Sequence, residues 1–144
     1  MVIPANLRRQ VIERAANCCE YCGLAQTGQE ATFHVDHVVP VVAGGQSTSE
    51  NLALACVSCS LRKGARLVKV DPHTGEEVVL FDPRRDAWRL HFRWDGVRVV
   101  GITPTGRATV MTLHMNRPLA LGNPGGGSAA RKTPVANTSD KGLC

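Results

Sequence analysis

Residues 31–40 read Ala-Thr-Phe-His-Val-Asp-His-Val-Val-Pro. β-Branched side chains recur over 31–39 and apolar positions alternate with polar ones, which predicts a half-buried strand. Two Cys-x-x-Cys turns flank it, Cys19/Cys22 before and Cys56/Cys59 after. Each turn brings two sulfurs to one point, and four sulfurs are the donor set of tetrahedral zinc. The 33 residues between the turns are too many for a short zinc finger. The strand and the Gly44-Gly45 loop behind it therefore lie inside the clasp. A closed four-sulfur site has no open position, so this zinc is expected to be structural, not catalytic. One Cys-x-x-Cys alone would also suit a redox dithiol; the pair favours zinc. Cys18 competes with its neighbour for the ligand position. The two-residue spacing selects Cys19, and leaves Cys18 as a small core side chain and Cys144 as a free thiol.

Working outward, 6–17 read as a helix, with Leu7, Val11, Ala15 and Ile12, Ala16 at four-residue spacing and Arg8, Arg9 and Arg14 off that stripe. Residues 51–56 suit a second strand and 57–62 a short helix stopped at Gly64. Residues 67–82 predict one hairpin and 88–103 another, turning at Asp95-Gly96. Thr105 is placed to cap a closing helix over 107–115. The Gly-, Ser- and Thr-rich stretch 121–144 has little to bury and reads as a disordered tail. The fold class is α+β: a zinc-clasped core with its N-terminal helix over 1–66, a β-rich extension packed on it over 67–118, and a tail over 119–144.

Charge is uneven. Residues 1–60 hold three basic and five acidic side chains, whereas 61–120 hold eleven basic and six acidic. A positive field behind the clasp suits a polyanion, although a solvated basic surface has the same composition. No apolar run is long enough to cross a membrane. No basic segment followed by an apolar run opens the chain, which points to the cytoplasm, where thiols stay reduced and serve metals before disulfides. The oligomeric state is not legible.

The ordered set Asp36-His37, Gly44-Gly45, Asn51-Leu52, Cys56-x-x-Cys59 and Lys63-Gly64 resembles the bacterial HNH endonucleases with a paired Cys-x-x-Cys zinc site, over roughly residues 8–66. Residues 67–118 also look like the extension of one group of small bacterial HNH proteins, through Asp71-Pro72-x-Thr74-Gly75, Trp88, His91-Phe92 and Gly106-Arg107-Ala108-Thr109. The resemblance implies a ββα-metal core, a DNA substrate and a catalytic Mg²⁺ or other divalent cation. His37 then activates a water as general base. Asp36 is a hard oxygen ligand for the cation, which offsets charge on the scissile phosphate. Asn51 braces the histidine loop. Taken alone, Asp36 and His37 fit an ordinary strand pair better.

The family's third signature position, Asn or His directly after the last cysteine, is Ser60 here. A hydroxyl is a shorter and weaker cation ligand, so the alternative function is a zinc-containing DNA-binding module with impaired catalysis. His34 lies two residues before Asp36, on the same strand face, and is a compensating ligand or an exposed strand histidine. Arg62, Lys63 and Arg66 follow the motif helix and are candidate phosphate contacts, with Arg84, Arg85 and Arg89 extending the track.

Overall fold

The structure is a computed structural model in which residues 3–118 and 131–134 are described. Helix α1 spans Ala5–Arg14 and buries Val11. It stops earlier than the apolar spacing predicts, because Ala16 and Asn17 turn left-handed (φ 52° and 60°). Ala16 is consequently exposed. Arg14 is not a solvated charge. Its guanidinium donates to the Ser49 carbonyl at 3.0 Å and the Leu52 carbonyl at 2.7 Å, tying α1 to the start of the next sheet.

Strand β1, His34–His37, pairs antiparallel with β2, Leu52–Ala55, placing His34 opposite Ala55 and His37 opposite Leu52. β1 begins three residues later than expected, since the Phe33 amide is taken by the Gln26 side chain at 2.8 Å. Every residue of β2 is buried, which explains its unbroken apolar run. Cys56 then caps helix α2, Val57–Lys63, and Gly64 ends it. Strand, strand and helix form the ββα core.

The extension begins with the hairpin of β3, Val68–Val70, and β4, Glu77–Val79. Residues 88–91 form a one-turn helix, α3, where a strand is expected. Trp88 explains the change: it is buried, its indole N–H donates to the Tyr21 carbonyl at 2.8 Å, and its ring lies 5.0 Å from Phe92. The second hairpin is β5, Phe92–Asp95, with β6, Arg98–Gly101. Helix α4, Pro104–Leu113, is capped by Thr103, whose hydroxyl accepts from the Gly106 amide. Pro104 at the first turn fixes that start. Thr105, the expected cap, donates instead to the Val79 carbonyl at 2.9 Å and pins α4 to β4.

Two further polar links brace the fold, one within the extension and one between extension and core. Asp71 forms a two-pronged pair with Arg107 (3.0 and 2.9 Å), locking the first hairpin to α4. Glu20, fully buried between two metal-site residues, accepts from the Leu54 amide at 2.8 Å and pairs with Arg84. Arg84 therefore does not belong to a surface track: its side chain is 9% exposed, against 85% for Arg85. Part of the stretch read as a tail is described. Residues 131–134 pack on the core, Arg131 bridging to Leu24 and Pro134 buried. The rest of the predicted tail, Cys144 included, lies outside the described residues.

Burial raises the Glu20 carboxyl to about 7, although Arg84, the Leu54 amide and Arg14 pull it back. A carboxyl whose folded pKa lies above its unfolded value of 4.5 binds protons more tightly when folded. Its contribution is complete below that unfolded value and is lost as pH rises through about 7. Urea denaturation of the metal-loaded protein should show the wild type losing stability relative to Glu20→Gln over this window, by at most about 1.4 kcal/mol per pH unit. Parallel pH profiles for the two proteins would rule the assignment out.

Candidate functional site

The four knuckle cysteines are buried, and their sulfurs all lie within 4.8 Å of one another. Tetrahedral zinc, with sulfurs about 2.3 Å away, sets its ligands about 3.8 Å apart. The Cys22 and Cys56 sulfurs are 3.8 Å apart. Backbone amides also point at the cluster: Cys22 N–H to Cys19 Sγ at 3.5 Å and Cys59 N–H to Cys56 Sγ at 3.4 Å. The residues fit a structural zinc ion. Cys18 is buried but stands outside the group. Among the described residues, no second cluster of three or more His, Cys, Asp or Glu converges on one point.

Arg117 was missed by sequence reasoning. It is 8% exposed, and its guanidinium donates to Cys56 Sγ at 3.2 Å and Cys22 Sγ at 3.8 Å. Burial alone would lower its pKa, but the Cys22, Cys56 and Cys59 thiolates outweigh that and hold it above the ordinary value. A basic residue some sixty positions after the last metal cysteine carries no local motif, so no signal in the sequence marks it.

The second group gathers where β1 faces α2. β1 ends at His37, so Asp36 and the histidine sit at the strand's exit, not in its middle. The His37 imidazole, at Nε2, is 2.8 Å from the Ser47 hydroxyl. His34 Nδ1 lies 2.9 Å from Ser60 Oγ, which joins the first residue of β1 to the position after the last cysteine. Asp36 Oδ2 lies 3.1 Å from the Lys63 ammonium, which also donates to the His37 carbonyl at 3.0 Å. Burial raises the Asp36 carboxyl above its usual range; Lys63, then His37 and His34, pull it back.

Lys63 is thus a correction. Sequence spacing placed it with Arg62 and Arg66 as a phosphate contact, but it is 2% exposed and spent inside the site. Position decides this: Lys63 lies on the α2 face turned to β1. Arg62 and Arg66 remain exposed. Arg62 donates to Ser58 Oγ and Arg66 to the Arg62 carbonyl, so both are held at the end of α2.

Asn51 ties down the loop behind His37. Its Oδ1 accepts from the Val39 amide at 2.9 Å, while Nδ2 donates to the Val39 carbonyl at 3.0 Å and the Gln46 carbonyl at 2.9 Å. Gly45 makes this approach possible, since a Cβ there would lie 1.7 Å from the Val39 oxygen and 2.8 Å from Asn51 Nδ2.

A strand pair and helix clasped by four buried cysteines define a ββα-metal class of domain. Residues 19–66 match the family model for HNH endonuclease, a third of the chain, and constitute an HNH endonuclease domain. No curated protein and no solved structure matches the chain. None of the helices among the described residues is long and apolar enough to cross a membrane.

Asn51→Asp isolates the brace. It keeps the acceptor for Val39 N–H but turns an oxygen toward two carbonyls. A loss of about 1–3 kcal/mol is expected in urea denaturation of the metal-loaded protein, with faster amide exchange over 39–47. Unchanged stability and exchange would show that the brace carries no weight.

Proposed function

We propose that the 19–66 domain is a metal-dependent endonuclease that hydrolyses DNA phosphodiester bonds, with His37 as the base that activates water. The carrying observation is the junction of β1 and α2, which gathers His34, Asp36, His37, Ser60 and Lys63 within an HNH endonuclease domain. Asp36 Oδ1, Ser60 and His34 would hold a divalent cation. When bound, that ion supplies charge neutralisation at the phosphate and the leaving oxygen.

The chain's own residues account for the rest. The Ser47 hydroxyl and the Asn51-braced loop hold the His37 ring, so a neutral imidazole can take a water proton at one nitrogen. Lys63 opposes the burial that raises the Asp36 carboxyl by pairing with Oδ2, and it fixes the His37 backbone through its carbonyl. Arg62 and Arg66, with Lys69, line a groove of about 720 Å³ between α2, β3 and α4. A nucleic-acid backbone suits that groove, whose lining contains one acidic residue, Glu77.

A second reading is a DNA-binding zinc module without catalysis. The observation favouring it is that Ser60 is engaged by His34 and Asp36 by Lys63. Plasmid nicking with Mg²⁺, Mn²⁺ or Ni²⁺ separates the two. Metal-dependent nicking is expected, and His37→Ala should lower it about 10²–10⁴-fold. His34→Ala should weaken activation by the added cation, and Ser60→Asn should strengthen it. DNA binding with no nicking above the His37→Ala level would select the binding module. In salt titrations of DNA affinity, Arg62→Gln and Arg66→Gln should each reduce the logarithmic slope by about 1; an unchanged slope would remove that groove from the DNA path.

A further inference from the structure

A zinc ion held by four thiolates carries a net charge of −2 in a buried pocket, and a buried charge needs a partner. The two knuckle amides serve Cys19 and Cys56. Among the described residues, a charged donor to the sulfurs is Arg117, which bridges Cys22 and Cys56, one sulfur from each Cys-x-x-Cys turn. Its position is built by the fold. Helix α4 ends in a left-handed His114 (φ 50°, ψ 54°) that reverses the chain. Asn116 then clamps the reversed segment to β6, its Oδ1 accepting from the Val99 amide and its Nδ2 donating to the Val99 carbonyl, both at 2.8 Å. Met115, fully buried, seats the turn, and Arg117 follows onto the sulfurs.

A second arginine closes the same side. Arg131 donates to the Cys22 carbonyl at 3.1 Å and the Met115 carbonyl at 2.8 Å, with its guanidinium 5.0 Å from the Trp94 ring centroid. Beside it the Lys132 amide bonds the Gly23 carbonyl at 3.1 Å. A Cβ on Gly23 would lie 2.1 Å from the Lys132 oxygen, so the knuckle glycine admits this strap. Both arginines come from beyond α4, far in sequence from the cysteines they cover.

We propose that Arg117 is the outer-shell counter-ion of the four-thiolate metal centre. Metal loading of the clasp and docking of the layer that ends in Arg117 are then one coupled event. The inference rests on the metal clasp and is independent of nuclease activity.

Chelator competition on full-length protein tests it without reference to cleavage. Arg117→Met keeps the aliphatic packing and removes the charge and the N–H donors. Its zinc affinity should fall about 10–100-fold, the usual cost of losing an outer-shell partner. Amide exchange at Val99 and over 113–117 should quicken with it, and Arg117→Lys should recover part of both. Wild-type affinity and exchange in Arg117→Met would overturn the proposal. Unaltered protein loaded with NMR-active cadmium gives a test that needs no variant. A through-hydrogen-bond correlation between the metal and an Arg117 guanidinium proton is expected, beside those of the Cys22 and Cys59 amides. Absence of the Arg117 signal while the two amide signals are present also overturns it. A wild-type chain that takes up neither zinc nor cadmium would overturn the clasp itself, and the counter-ion with it.

Discussion

Four cysteine sulfurs packed within 4.8 Å of one another would repel as thiolates, and a cation at their centre would hold them together. Nearly everything else hangs from that point. The first knuckle fixes the start of the domain, and the second caps α2 through Cys56. Between them β1 and β2 are forced into a short antiparallel pair, with β2 sealed on every side. The extension reads this centre too: Trp88 bonds Tyr21, Arg84 pairs with Glu20, and Arg117 reaches the sulfurs. A chain with few aromatic residues has a limited apolar core, so a metal staple with polar struts is a reasonable physical solution.

The second centre inherits its geometry from the first. β1 is short and stops at His37, and α2 begins at a metal ligand, so strand exit and helix face meet at a fixed separation. Lys63 joins them by pairing with Asp36 and bonding the backbone of the next residue. Asn51 and Gly45 hold the loop beyond. Polar links hold this junction: side-chain pairs at His34–Ser60, His37–Ser47 and Asp36–Lys63, and bonds from Asn51 and Lys63 to the backbone.

Much of this was legible because its signals are local. Cys-x-x-Cys spacing needs only two adjacent backbone turns to converge, so the ligands could be read without a fold. The alternation over 34–37, the apolar run 52–55 and the stop at Gly64 each report a neighbour a few residues away. Their boundaries were less legible. Gln26 takes the Phe33 amide and shortens β1, Trp88 draws 88–91 into a helical turn, and Thr103 displaces Thr105 as a cap. A nearby loop side chain in the first case, a partner distant in sequence in the second and the fixed φ of Pro104 in the third overrode the local pattern.

The sequence by itself determined the clasp, the ββα order and the placing of His34, Asp36 and His37 on a strand and Ser60 on the helix after it, because spacing and residue chemistry are short-range properties. Only tertiary structure decided which charges face inward. Lys63, Arg84 and Arg117 look, as letters, like the exposed Arg62, Arg66 and Arg85. They differ because folding brings a carboxylate or a thiolate to each of the first three: Asp36, Glu20, and Cys56 with Cys22. A long cationic side chain enters a core only where an opposite charge is already buried, and that coincidence is a fact of three-dimensional packing.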